Sequence, residues 1–247
     1  MEQRFVDIHC HVLPGVDDGA QNIEETRRML QTAYDEGIRY IIATPHHHPI
    51  RGKQPPRVLR KQLKIVREEA EKISPKLRVF LGTEVYFGQD VPERLKKEKI
   101  LTMNRTNTVL LEFSHSDEYE HICRGIQQVQ MHGFEVILAH IERYPDMLDK
   151  IEEVRHLVDM GVMIQINAGS ILGQTGRSAK KFVKQLLDER LVFCVGTDAH
   201  DPVRRAPKMQ KAVEYVVKKY GEEYARRIFF SNAASLLRNK KKRDESK

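Results

Sequence analysis

Groups that ligate metals and carry charge stand at the ends of short apolar runs along this chain. The first run closes in Asp7-Ile8-His9-Cys10-His11, followed by Asp17-Asp18-Gly19. The second ends in Thr44-Pro45-His46-His47-His48, the third in Gly82-Thr83-Glu84 and the fourth in Glu112-Phe113. The fifth reaches His140-Ile141-Glu142-Arg143-Tyr144 and the seventh Thr197-Asp198-Ala199-His200, while the sixth offers the neutral amides Gln165 and Asn167. In a strand, residues two apart share a side, so His9 and His11 can grip one ion while Cys10 faces away.

Taken singly, each has an ordinary explanation. A strand-end histidine is more often a hydrogen-bonded structural residue than a ligand, Glu84 or Glu112 could cap or pair, and Asp17 and Asp18 form turns readily. Together they are harder to dismiss, because imidazoles and carboxylates converging on one mouth repel or stay unpaired unless cations lie among them. Nine such groups are candidate ligands. They are too many for one ion. Histidine and carboxylate without thiolate suit manganese, iron or zinc better than magnesium. Two or three such ions would activate water near neutral pH and clamp both ends of an in-line phosphoryl displacement.

These residues need a scaffold that delivers strand ends to one place. Near-continuous apolar runs predict parallel strands, buried on both faces, over Arg4–Cys10, Ile38–Thr44, Leu77–Gly82, Thr108–Phe113, Glu135–Ala139, Val162–Asn167 and Leu191–Gly196. Amphipathic helices alternate with them. Asn22 caps the first, with Glu25 three residues on, and Leu59, Leu63, Val66, Ala70 and Ile73 make the apolar face of the second. Further helices are expected over Tyr119–His132, Asp146–Met160, Ala179–Glu189, Pro207–Lys219 and Glu222–Leu237, and Gly37, Gly133 and Gly161 stand where C-terminal caps belong. Seven strand–helix units whose chemistry gathers at strand C-termini favour closure into a barrel. Residues 1–238 form one domain in this reading, and 239–247 a basic, disordered tail.

Composition removes several alternatives. No apolar run in the 247 residues approaches the roughly 20 a membrane span needs, and the N-terminus lacks a signal-peptide layout. Cys10, Cys123 and Cys194 are too few for a disulfide framework, so a reduced, cytoplasmic protein is expected. The net charge is +7, of which the segment from Arg238 to Lys247 supplies about +4, and no basic stripe marks a nucleic-acid face.

The ordered set His9-x-His11, Asp18, His46, Glu84, Glu112, His140 and Asp198-x-His200 resembles the polymerase-and-histidinol-phosphatase (PHP) superfamily over nearly the whole chain. The resemblance implies a distorted (β/α)7 barrel with a trinuclear metal centre. Asp17-Asp18-Gly19, Ala43-Thr44-Pro45-His46, His140-Ile141-Glu142-Arg143-Tyr144 and Gln165-Ile166-Asn167-Ala168-Gly169-Ser170 are similar to the bacterial metal-dependent tyrosine phosphatases of capsular and exopolysaccharide regulation. It further implies that His9, His11, Glu84 and Asp198 hold one ion, that Glu84 bridges to a second on Glu112 and His140, and that Asp18, His46 and His200 hold a third. Manganese is the favoured ion. Arg143 and Arg205 match the family's anion-contacting arginines, although Arg204 beside the latter leaves the register open. His47 and His48 either line the mouth or are solvated.

The function implied is hydrolysis of phosphotyrosine in a protein, such as a bacterial tyrosine kinase of exopolysaccharide synthesis, by a metal-activated hydroxide. A small-molecule PHP phosphatase, for example one acting on histidinol phosphate, is the nearer rival; a non-catalytic kinase-binding domain is the more distant one. The thiol route to the same reaction is excluded, since it requires arginine six residues after the cysteine. Val16, Val129 and His200 occupy those positions. Alkylation with iodoacetamide should therefore leave aryl phosphate hydrolysis largely intact, whereas a strong chelator should abolish it and manganese restore it. Loss of turnover on alkylation would return the thiol to the mechanism.

Overall fold

Runs rich in Val, Ile and Leu pair as parallel strands because both their faces can be buried. The computed structural model describes residues 4–238; Asn239–Lys247, read above as a basic disordered tail, lie outside the described residues. In chain order the elements are β1 (Phe5–Cys10), α1 (Ile23–Asp35), β2 (Ile38–Ala43), β3 (His46–His48), β4 (Gly52–Lys53), α2 (Pro56–Ile73), β5 (Arg78–Leu81), β6 (Glu84–Tyr86), α3 (Val91–Lys96) and β7 (Thr108–Glu112). There follow α4 (Tyr119–Met131), β8 (Glu135–Leu138), α5 (Ile151–Asp159), β9 (Met163–Asn167), α6 (Ala168–Leu172), α7 (Arg177–Asp188), β10 (Val192–Gly196), α8 (Gln210–Tyr220), α9 (Glu222–Arg226) and α10 (Asn232–Ala234).

The strands form two sheets, β1-β2-β5 and β10-β9-β8-β7-β6-β3-β4, parallel except at the β3–β4 hairpin. Seven unbroken strands were expected. Instead the second and third each bend, so that their first halves (β2, β5) pair alongside β1 and their second halves (β3, β6) join β7. Pro45 has no N–H to donate to a ladder, and a side chain at Gly82 would meet Met103 Sδ at 2.7 Å. Hydrogen bonds bridge the bends, from Gly82 N to Ala43 O (2.8 Å) and from Glu84 N to Pro45 O (3.2 Å). The sheet thus curves without coming apart.

Closure is made at the end where the site lies. Asp198 N donates to His9 O and His11 N to Ala199 O, both at 2.8 Å. The buried Asp7 carboxylate accepts from Thr197 N (2.9 Å) and Thr197 Oγ1 (2.5 Å). Towards the other end, Arg227–Leu237 packs against both β1 and β10. Asn232 Nδ2 donates to Phe193 O (2.7 Å) and Asn104 Nδ2 to Leu236 O (3.0 Å). Val6, Ile8, Ile42, Leu110, Ile137 and Cys194 form a separate inner apolar cluster, with Ala233 and Leu236 among its members. The larger cluster, which includes Cys10, joins the outer faces of the strands to the helices.

Three helix expectations need correction. The helix expected from Asp146 starts at Ile151, because Asp149 takes a left-handed φ of 65° after a 3-10 turn. The one expected from Pro207 starts at Gln210, where Glu36 Oε2 accepts from the N–H groups of Met209 (3.0 Å) and Gln210 (2.9 Å). The closing helix is interrupted by a π turn at Arg227–Ser231. Asn22 does cap α1, accepting from Glu25 N (3.0 Å), while Glu25 reaches back to Gln21 N (2.9 Å).

The inner cluster depends on Leu236 to cover one end. Leu236→Ala should lower unfolding free energy by about 2–4 kcal/mol, the usual cost of truncating a buried leucine. Urea titration would read this as a reduced midpoint at unchanged slope.

Candidate metal centre

Strand alternation alone would not aim His9 and His11 into the mouth. Val6 and Ile8 belong to the inner cluster, which would place His9 on the opposite face. The register shifts between Asp7 and Cys10, where three steps of β1 match two of β2, from Ile41 to Ala43. This bulge re-aims the side chains that follow it. Asp7 Oδ1 accepts from His9 N (3.2 Å) across the bulge, and His9 and His11 then face one centre with no exposed surface. Two other strand ends use unusual backbone: His140 at φ 34° and Asp198 at φ 53°. Such left-handed conformations cost about 1–3 kcal/mol each in non-glycine residues and persist only where the surroundings impose them.

The nine residues singled out from the sequence all lie at this mouth. Within 4.8 Å of one another are ligand atoms of His9, His11 and Glu84; of His11, Asp18, His46 and His200; and of His46, Glu84 and Glu112. His140 Nε2 lies 2.9 Å from Glu84 Oε1 and 3.7 Å from Glu112 Oε1. Asp198 Oδ1 is 3.5 Å from His9 Nε2 and 3.6 Å from His11 Nε2. The grouping departs from the expected division in that His11 and His46 each belong to two clusters.

Neighbouring groups decide which ring nitrogens are free. Gln165 Oε1 accepts from His140 N (2.9 Å), which orients its amide, and so accepts a hydrogen bond from His9 Nδ1 (3.1 Å) as well. Asp17 Oδ2 does the same for His11 Nδ1 at 2.8 Å. In the neutral rings both Nε2 atoms then present lone pairs, 3.2 Å apart. His46 Nδ1 stands 2.8 Å from Glu84 Oε2, yet neither atom has an aligned hydrogen-bond partner. Glu112 Oε2 and His140 Nδ1 are likewise buried without one. This donor set fits divalent cations, which satisfy converging lone pairs that hydrogen bonds leave unmet.

Charges shift accordingly. Burial disfavours the charged form of His11, but Asp17 and Glu84 outweigh it and hold the ring up to about 10. Burial and the adjacent Glu84 push Glu112 up to about 7, and burial brings His140 down to about 4. Protons thus balance part of the charge that cations would balance.

Arginines flank the mouth. Arg143 Nη2 lies 2.6 Å and Arg205 Nη2 2.8 Å from Asp198 Oδ2, which also accepts from Asn167 Nδ2 (3.1 Å). Arg204 is exposed, its backbone N–H on Asp201 Oδ1 (2.6 Å). His47 and His48 are both buried, so the solvated alternative is corrected, and neither joins a cluster. His48 Nδ1 accepts from Ile50 N (3.0 Å) and Arg51 N (3.2 Å). Sequence reasoning placed Asp17 and Gln165 at strand ends without giving them a role, and it missed Arg51. The doubled acid Asp17-Asp18 was a signal for the first; nothing local marks Arg51.

A curved parallel sheet whose strand ends gather imidazole and carboxylate around one buried centre defines a class, the barrel hydrolases that work through bound metal ions. More narrowly, the chain belongs to the capsular polysaccharide synthesis CpsB/CapC family, whose model matches residues 5–238. It is 34% identical over 240 residues to the tyrosine-protein phosphatase CpsB of Streptococcus agalactiae, covering 95% of this chain and 99% of that protein. A solved structure from work on YwqE of Bacillus subtilis and CpsB of Streptococcus pneumoniae, described as metal-dependent tyrosine phosphatases, superposes with TM-score 0.85 at 32% identity, covering 95% and 94% of the two chains. The histidinol phosphate phosphatase of Lactococcus lactis is similar in fold alone, with TM-score 0.59 at 14% identity, covering 88% and 94%.

Asp17 touches His11 rather than the centre itself. Asp17→Asn should weaken divalent-metal affinity about ten- to a hundredfold, the usual effect of losing a carboxylate behind a ligating histidine. Metal content after dialysis against graded chelator would measure it.

Proposed function

We propose that this protein is a metal-dependent protein-tyrosine phosphatase, acting in the cytoplasm on a phosphorylated protein such as a tyrosine kinase of exopolysaccharide synthesis. The observation that carries the reading is the convergence of His9 Nε2 and His11 Nε2, 3.2 Å apart, on the buried Glu84 carboxylate. The full-length likeness to tyrosine-protein phosphatases supports the substrate class.

In this reading His9, His11, Asp18, His46, Glu84, Glu112, His140, Asp198 and His200 hold two or three divalent ions, with manganese favoured. Bound there, the ions supply Lewis acidity and a water of lowered pKa. The protein's own groups do the rest. Gln165 and Asp17 keep the histidine tautomers that leave Nε2 bare. Arg143 and Arg205 share one carboxylate oxygen of Asp198, so their remaining N–H groups are available to the non-bridging phosphoryl oxygens, for which a guanidinium fork is the natural partner. The side chains of Asp18 and Arg205 are 47% and 41% exposed, so the rim can receive a side chain presented by another protein. A phenol leaves at pKa about 10, low enough to need no dedicated acid.

Hydrolysis of a phosphotyrosyl peptide with manganese, set against histidinol phosphate, tests the substrate class; preference for the latter would favour the small-molecule alternative. Arg143→Ala and Arg205→Ala should retain metal and lose about tenfold to a hundredfold in kcat/KM, equivalent to about 1.5–3 kcal/mol for a charge-assisted contact. Arg204→Ala should be nearly silent. Damage confined to Arg204→Ala would reverse the roles of these neighbours.

A further inference from the structure

A third arginine meets the site as Arg143 and Arg205 do. Arg51 Nη1 lies 3.0 Å from Glu112 Oε1, a buried carboxylate at the end of β7. Its partner is on a different strand from Asp198, so the three guanidinium groups approach the centre through two separate carboxylates. Arg51 comes from the turn of the β3–β4 hairpin, between Ile50, which is 89% exposed, and Gly52. Both features of that turn are built. His48 Nδ1 accepts from the N–H groups of residues 50 and 51, and its ring lies edge-on against Tyr86 at 4.3 Å. Gly52 has φ 151°, and a Cβ there would stand 2.9 Å from Val16 O and 3.0 Å from Asp17 Cβ, so the hairpin base rests on the loop that orients His11. The Arg51 side chain is 37% exposed, so it meets solvent as well as Glu112.

We infer that Arg51 is a third anion-binding arginine, presented by the β3–β4 hairpin and held on Glu112 until a substrate phosphate takes that carboxylate's place. A carboxylate that shares its charge with divalent cations attracts a guanidinium less, whereas an arriving phosphate dianion offers a stronger, bidentate partner. Two forks beside Asp198 and one beside Glu112 would then hold the phosphate from two sides. The inference rests on the phosphatase reading for its substrate, but its central claim is affinity for phosphate.

The test uses the manganese-loaded protein and its Arg51→Gln and Arg51→Lys variants. Metal content, inorganic phosphate affinity by calorimetry, and kcat and KM for p-nitrophenyl phosphate are measured on each. Arg51→Gln should keep its metal, bind phosphate about tenfold more weakly, and raise KM more than it lowers kcat. Arg51→Lys should recover part of the affinity, since ammonium supplies charge without the fork. Unchanged phosphate affinity in Arg51→Gln overturns the inference. So does a loss of phosphate binding that tracks loss of metal, which would make Arg51 only the counter-ion of Glu112. Failure of the unaltered protein to hydrolyse any phosphate monoester would count against the phosphatase reading instead, and calorimetry would still decide the role of Arg51.

Discussion

Two imidazole nitrogens, His9 Nε2 and His11 Nε2, are held 3.2 Å apart in a space with no access to solvent. With neither a proton nor a cation between them those nitrogens repel, and much of the surrounding structure serves to impose the contact. The bulge in β1 turns both rings inward, Gln165 and Asp17 occupy the Nδ1 atoms, and Asp7 ties the bulge to Thr197 so that the last strand closes on the first. Burying such groups without cations costs free energy that the rest of the fold has to offset.

The same economy explains the distortion of the barrel. Seven straight strands would spread their ends around a wide ring. The bends at Thr44-Pro45 and Gly82-Thr83 bring His46 and Glu84 inward, opposite each other in register on β3 and β6. Left-handed backbone at His140 and Asp198 turns those side chains towards the same point. The barrel is then covered at its far end by the segment carrying Ala233 and Leu236, which completes an apolar interior. Stability is concentrated in that interior and in the outer helix-packed layer, leaving the mouth to carry strain and charge.

Arginine recognition is organised by carboxylates that also face the centre. Arg143 and Arg205 converge on Asp198, and Arg51 on Glu112, so each guanidinium is positioned by an anion before any ligand arrives. Pre-positioning of this kind lowers the ordering cost when a phosphate binds. In the proposed reading it would also couple two roles of the carboxylates, since a residue that gathers cations would also set where the guanidinium groups point.

Much of this was legible in residue order. Alternating apolar runs and amphipathic segments specify a parallel α/β fold, because burial on both faces leaves a continuous hydrophobic signature. Histidine and carboxylate at strand ends mark the mouth for the same reason, since chemistry that repeats at one end of successive strands must share one rim. What the sequence alone determined was therefore which residue types would meet and at which end of the sheet. Only the tertiary structure decided how they meet: that β1 bulges after Asp7, that two strands break in half, that Asp17 and Gln165 stand against the Nδ1 atoms of His11 and His9, and that Arg51 reaches Glu112 across 61 positions of chain. Register, strand breaks and long-range side-chain pairs depend on packing between segments far apart in the chain, and strand periodicity, being local, carries no information about them.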